Sequence, residues 1–343
     1  MSSTYLNWVI ENTRTKWWHD SAASAELDLA LRRGAVGATT NPVLASAALK
    51  CDRAQWAAEI DAVHACNLPG EHKAEQLMRI AVTKAAIRFA PEFAASKGYS
   101  GFVCAQVNPV RAGERECMHA MARRLHAWAP NIAVKLPATG AGLDVLEDCV
   151  AEGITVTATV SFTVPQVVAI AERHRAGIAR AQTSGIDPGK CFAVIMIGRL
   201  DDYLREVAHD SQCGVEESDI RQAGLAVTKR AYSLYQERGY EAVLLVAALR
   251  GEYHLTELAG ADLVMSIHPG YQEMFVTRDL PREERIDLPV PDGVIERLQR
   301  MPEFVRSYEP DGMRPAEFMA FGLTQRTLSQ FCESGWKPIE SFL

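Results

Sequence analysis

Eight short stretches of the chain read as strand-like runs, most of them apolar along much of their length: 15–20, 34–40, 101–107, 132–136, 155–160, 191–197, 242–249 and 261–267. Continuous apolar runs of this length mark strands covered on both faces, the condition of a parallel sheet sandwiched by helices. Between them lie amphipathic stretches such as 114–128, 141–152, 164–177 and 215–238, each long enough for a crossover helix. Eight strand and helix units in succession predict an α/β fold, a (β/α)8 or TIM barrel.

The spacing is uneven in one place. Residues 41–100, between the second and third strands, leave room for a helical insertion of two or three helices that packs outside the barrel or covers one rim. After the eighth strand, 278–292 is charged and proline-rich, and 293–301 and 315–331 have helical patterns. The expectation is a barrel over 1–285 and a C-terminal helical extension over 286–343 packed on it.

Composition supports this class and excludes others. The chain has 343 residues, 48% of them hydrophobic, and a net charge of -7. That is ample for a large core and carries no basic footprint for nucleic acid. No run of roughly eighteen uncharged apolar residues is present, so no membrane span is expected. The N-terminal Met-Ser-Ser-Thr-Tyr lacks the features of a secretory leader, which predicts a cytoplasmic protein. Eight cysteines at 51, 66, 104, 117, 149, 191, 213 and 332 form no CxxC pair and read as reduced thiols, not a zinc site or a disulfide frame.

The residue that points to chemistry is Lys135, in Asn131-Ile-Ala-Val-Lys-Leu-Pro-Ala-Thr139 near the end of the fourth strand. Alternation sets Ile132, Val134 and Leu136 on one face and Ala133 and Lys135 on the other, which in a parallel barrel is the interior. Amines desolvated by apolar walls lose their protons more readily, and the neutral form attacks ketones. In this architecture the reactive groups gather at the C-terminal strand ends. Asp20 stands there on strand one, Thr40 and Asn41 on strand two, and Gln106 and Asn108 on strand three. Thr159 lies on strand five, Arg199 after strand six and Arg250 after strand seven. On the fifth strand Thr155, Thr157, Thr159 and Ser161 share one face, a hydroxyl lining suited to a sugar.

These residues carry a resemblance to the transaldolases, Schiff-base transferases of sugar phosphate metabolism. Gly37-Ala-Thr-Thr-Asn-Pro42 resembles the family's strand-two signature, and Val134-Lys135-Leu-Pro-Ala-Thr139 its lysine motif. Gly198-Arg199-Leu-Asp-Asp202 and Ala247-Ala-Leu-Arg250 resemble its two arginine motifs, and Gly312-Met-Arg-Pro-Ala-Glu-Phe the tail of longer members. The resemblance implies that Lys135 forms an imine with a ketose donor and that Asp20 is the general acid or base. It implies that Thr159 helps place a water, Asn41 holds donor hydroxyls, and Arg199 and Arg250 clamp an anion. Thr40 and Asn108 join the substrate-binding set. It also implies sugar phosphate substrates, often a homodimer, and no metal or organic cofactor.

Four positions depart from the family pattern. Gln106 stands where most transaldolases carry Glu and resembles the related fructose 6-phosphate aldolases; it can hold a water but cannot exchange protons. Met196 replaces the usual aromatic residue of strand six, and Val194 and Ala248 stand where serines usually accompany the arginines. The expected activity is transfer of a dihydroxyacetone unit from a ketose phosphate to an aldose phosphate. The alternative is a lyase on the same Lys135 that releases dihydroxyacetone. Two further readings are a metal-dependent hydrolase built on His19, Asp20 and His268, for which no HxH or HExxH pattern exists, and a silent sugar phosphate sensor.

Overall fold

The computed structural model describes residues 4–343. Its strands are β1 (Lys16–His19), β2 (Gly37–Ala38), β3 (Phe102–Gln106), β4 (Ile132–Pro137), β5 (Val156–Thr159), β6 (Cys191–Met196), β7 (Val243–Ala247) and β8 (Val264–Ile267). Each pairs in parallel with its sequence neighbours, and β1 pairs with β8, closing an eight-stranded barrel. All eight predicted strands are present, and helices separate them as expected of a (β/α)8 barrel.

Contacts between strands that are not neighbours identify the interior. Trp18 of β1, Phe102 of β3 and Phe192 of β6 meet across the barrel, with ring centroids 4.6 Å apart for Trp18 and Phe192 and 5.6 Å apart for Phe102 and Phe192. These edge-on rings fill the end nearer the strand N-termini and leave polar groups to the opposite mouth. Gly37 permits this packing, because a methyl group there would stand 2.7 Å from the Trp18 indole and 2.7 Å from the Phe102 carbonyl. Trp17, the next residue outward, is buried in the helix layer.

The insertion after β2 contains three helices, Pro42–Cys51, Ala57–Ala65 and Gly70–Ala95. The single amphipathic stretch read at 215–238 is two helices, Glu217–Ile220 and Ala223–Arg238. The Gly224 N–H at the start of the second donates to Asp201 Oδ1 at 2.8 Å, so its entry is anchored on the preceding helix, Ile197–Ser211. Among the described residues no helix is long and apolar enough to cross a membrane.

The C-terminal extension contains helices Asp292–Leu298, Pro302–Tyr308, Pro315–Phe318 and Gly322–Phe331, a π-helical turn Cys332–Trp336, and helix Lys337–Glu340. The helical pattern read over 315–331 breaks at Phe321, a residue 1% exposed whose ring meets Tyr203 edge-on at 5.5 Å. The extension crosses the C-terminal mouth of the barrel. It touches helix Ile197–Ser211, the 3-10 turn Pro109–Arg111 after β3, and helix Pro42–Cys51. Gly335 is needed at the last contact, since a methyl group there would stand 2.6 Å from the Val43 nitrogen.

Candidate active site

Lys135 lies in the barrel wall, 6% exposed, opposite Gln106 on β3 and Thr157 on β5 in strand register. Its Nζ donates to the Thr40 carbonyl at 3.3 Å. Cys104 Sγ reaches Thr157 Oγ1 at 3.5 Å, and β3 and β5 are not neighbours, so this contact crosses the interior and alternation turns Gln106 and Thr159 inward as well. Burial pushes the Cys104 thiol pKa up; the Lys135 ammonium opposes that shift and the Asp20 carboxylate reinforces it. Lys135, in register with inward-facing Thr157, and Asp20, bonded to Thr39, both stand on the interior side of the barrel.

Asp20 follows β1, and its Oδ1 accepts from Thr39 Oγ1 at 2.7 Å; Thr39 Oγ1 is also 2.5 Å from Ser266 Oγ on β8. Thr39, not Thr40, therefore faces Asp20. Thr40 is fully buried and its hydroxyl is spent on the Cys104 carbonyl at 2.6 Å, so what it presents to Lys135 is its own carbonyl. Asn41 caps helix Pro42–Cys51, accepting from the Leu44 N–H at 3.0 Å. Gln106 Oε1 and Thr159 Oγ1 are buried without hydrogen-bond partners among the described residues. Unpaired acceptors inside a polar mouth are groups that a substrate hydroxyl or a water would satisfy. Asn108 is committed elsewhere: its amide donates to Glu71 Oε1 at 2.9 Å and its carbonyl accepts from Val110 N–H at 3.0 Å.

The turn after Thr159 is strained. Val160 has φ +56°, an unfavourable conformation for a β-branched residue. It is held by Gln166, fully buried, whose Nε2 donates to the Val160 carbonyl at 3.1 Å while Oε1 accepts from Phe162 N–H at 3.0 Å. Ser161, read as sharing the inward face, instead donates to the Val194 carbonyl at 2.6 Å, because the left-handed residue before it breaks the alternation.

A second polar locus lies beside β6 and β7. Arg199 and Arg250 line a cavity of about 310 Å³ together with Asp202, Leu323, Arg326 and Gln330. Arg250 Nε donates to Asp202 Oδ2 at 2.9 Å, and Nη1 donates to the Ala248 and Leu249 carbonyls at 2.9 and 3.1 Å. Its backbone N–H donates to His254 Nδ1 at 3.1 Å, and His254 Nε2 meets Asp201 Oδ2 at 3.0 Å, both side chains being fully buried. The ring must therefore carry its proton on Nε2. Burial raises the Asp201 pKa, with His254 opposing. Ala248 is left-handed at φ +61°, and Gly198 leaves room for it: a methyl group there would stand 2.4 Å from both the Ala248 carbonyl oxygen and Arg250 Cγ.

The family model described as transaldolase/fructose-6-phosphate aldolase matches residues 17–334. The chain belongs to the transaldolase/fructose-6-phosphate aldolase family. It is 28% identical over 333 residues to the transaldolase of Neisseria gonorrhoeae, covering 92% of this chain and 90% of that one. It is 26% identical over 322 residues to the transaldolase of Thiobacillus denitrificans, covering 90% and 87%. With the transaldolase of Kocuria rhizophila the identity is 29% over 207 residues, 59% of this chain and 56% of that one.

For a member of this family, sequence reasoning missed several residues around the site. Thr39 was accessible in principle, because alternation from Gly37 on β2 puts position 39, not 40, on the inward face. Ser266, Asp201 and His254 carried no signal, being single polar residues whose partners come from other elements. His19, weighed with Asp20 and His268 as a metal ligand, turns away: its Nδ1 accepts from Gln272 Nε2 at 2.8 Å. Among the described residues no three His, Cys, Asp or Glu side chains converge.

Proposed function

We propose that this family member is a transaldolase acting on sugar phosphates, with Lys135 as the Schiff-base nucleophile. The observation that carries the reading is Lys135 itself: a lysine buried in the barrel wall, tethered to the Thr40 carbonyl and turned to the interior that Asp20 also faces. In this reading the neutral Nζ adds to the C2 carbonyl of the ketose, a proton is taken up from solvent and water leaves, forming a protonated imine. Asp20 takes the proton of the C4 hydroxyl, the C3–C4 bond breaks, and its electron pair passes into the imine to give an enamine while an aldose departs. Attack of the enamine carbon on an acceptor aldehyde, with Asp20 returning the proton, and hydrolysis of the new imine complete the cycle.

Thr39 and Ser266 hold Asp20 in place. Gln106 and Thr159, with their unpaired buried oxygens, orient the water that enters and leaves, and Asn41 meets the donor hydroxyls. Arg199 and Arg250 take the phosphate. Thr40 contributes to the substrate pocket through its backbone, and Asn108 through the loop it holds to Glu71. All eight cysteines are free thiols, which suits a reducing cytoplasm.

Incubation with fructose 6-phosphate and borohydride followed by intact-mass measurement tests this reading. A reduced three-carbon adduct that needs Lys135, together with transfer to erythrose 4-phosphate, supports it. Adduct formation with free dihydroxyacetone released and no transfer would assign a lyase instead, and no adduct with any ketose phosphate would overturn the Schiff-base mechanism.

A further inference from the structure

We propose that the C-terminal extension completes the anion subsite, with Arg326 and Gln330 binding the substrate phosphate beside Arg199 and Arg250. This inference rests on the transaldolase reading for its substrate, but its geometry is independent of Lys135. Half of the residues lining the 310 Å³ cavity, Leu323, Arg326 and Gln330, come from helix Gly322–Phe331; Arg199, Asp202 and Arg250 come from the barrel.

The hydrogen-bond inventory shows why the barrel residues alone are short of donors. Most of the Arg250 guanidinium is already engaged, by Asp202 and by the Ala248 and Leu249 carbonyls. Val194 on β6 and Ala248 just after β7 offer no hydroxyl. Arg199 has a buried Nε without a partner among the described residues, and its Nη1 donates to Gln330 Oε1 at 2.5 Å. That bond orients Gln330 so that its amide N–H groups, unpaired among the described residues, are left for a ligand. Arg326 uses Nη1 on Glu206 at 2.5 Å and keeps further N–H groups free.

Charge points the same way. Three guanidinium groups face one lining carboxylate, Asp202, and the Arg199 pKa is lowered to about 10 by burial first and then by Arg250 and Arg326, with Asp202 and Asp20 opposing. A phosphate dianion would relieve that repulsion, with guanidinium geometry matched to its oxygens. The helix that brings these groups is pinned at both ends. Phe321 packs on Tyr203 before it, and the π-helical turn at Cys332–Trp336 after it seats Gly335 against Pro42 and Val43. The Arg199 guanidinium also lies 5.6 Å from the centre of the Phe331 ring.

The decisive experiment compares Arg326→Gln with Glu206→Gln in the full chain. It reads the inhibition constant of inorganic phosphate and the ratio of kcat/KM for glyceraldehyde 3-phosphate to that for glyceraldehyde. Losing one charge-assisted donor should raise the phosphate constant and lower the ratio by about tenfold in Arg326→Gln. Glu206→Gln, which frees Arg326 from its competing carboxylate, should move both in the opposite direction. If Arg326 serves only as a surface ion pair, the two variants shift stability alike and leave both readouts unchanged, and the proposal falls. If the native chain transfers no three-carbon unit but binds phosphate by calorimetry in an Arg326-dependent way, the transaldolase reading fails and the anion site stands. Native transfer activity with phosphate binding indifferent to Arg326 would overturn the extension's part in the anion site alone.

Discussion

Lys135 Nζ and the Thr40 carbonyl, 95 positions apart in the chain, meet at 3.3 Å in the barrel wall. The contact ties the strand-two signature to the strand-four lysine and aims the amine by its backbone partner, leaving the neighbouring side chains for substrate. Lys135→Arg keeps an N–H donor for the Thr40 carbonyl but cannot condense with a ketone. Its turnover should fall by about 10³-fold or more with the fold intact, and borohydride should trap no adduct, as read by intact mass and circular dichroism.

Asp20→Asn should separate imine formation from carbon–carbon cleavage. The amide oxygen can still accept from Thr39, so the geometry survives, but no proton can be taken from the donor hydroxyl. The rate of transfer should drop by about 10²–10⁴-fold while the borohydride-trapped donor adduct persists at the mass of the intact sugar. A variant that loses the adduct as well would move Asp20 to the condensation step.

His254→Gln keeps an N–H toward Asp201 and removes the acceptor for the Arg250 backbone. It should cost about 1–3 kcal/mol in urea unfolding and raise KM for a sugar phosphate more than it lowers kcat, since the turn carrying Arg250 loses its anchor. An equal change in KM for phosphorylated and unphosphorylated substrates would mean that the pair is only structural.

Gly198→Ala places a methyl group against the Ala248 carbonyl, a backbone atom that cannot swing aside. We expect a loss of about 1–3 kcal/mol in the thermal or urea transition, with weaker inhibition by inorganic phosphate as Arg250 is displaced.

His19 makes the protein acid-sensitive. Burial, aided by the charge of His268, lowers its pKa to about 4, against an ordinary value of 6.5. Between those limits the unfolded chain binds a proton that the folded chain excludes. The contribution is thus fully present above pH about 6.5, declines as pH falls, and is lost once pH passes about 4, by up to about 3 kcal/mol. His19→Asn, which can still accept from Gln272, should flatten the pH dependence of urea unfolding over that interval.

Which features were legible in the sequence follows from the range over which each is encoded. Strand identity depends on apolar continuity over a few residues, so all eight strands and the inward direction of Lys135 could be read from the chain itself. The crossover helices likewise follow from periodicity, and the insertion and extension from the spacing left over. Partners brought together by barrel closure were another matter. Alternation from Gly37 turns Thr39 inward, but that Asp20 of the first strand and Ser266 of the eighth both meet its hydroxyl depends on the register of the closed barrel. Asn108 stands at a strand end as expected, yet Glu71 of the insertion draws its side chain away. Arg326 looked like any charged residue on a terminal helix until that helix crossed the mouth and brought it beside Arg199. Local pattern determined the elements and the inward-facing lysine, whereas the surroundings of that lysine depend on contacts between distant segments, which exist only once the barrel has closed and the tail has packed across it.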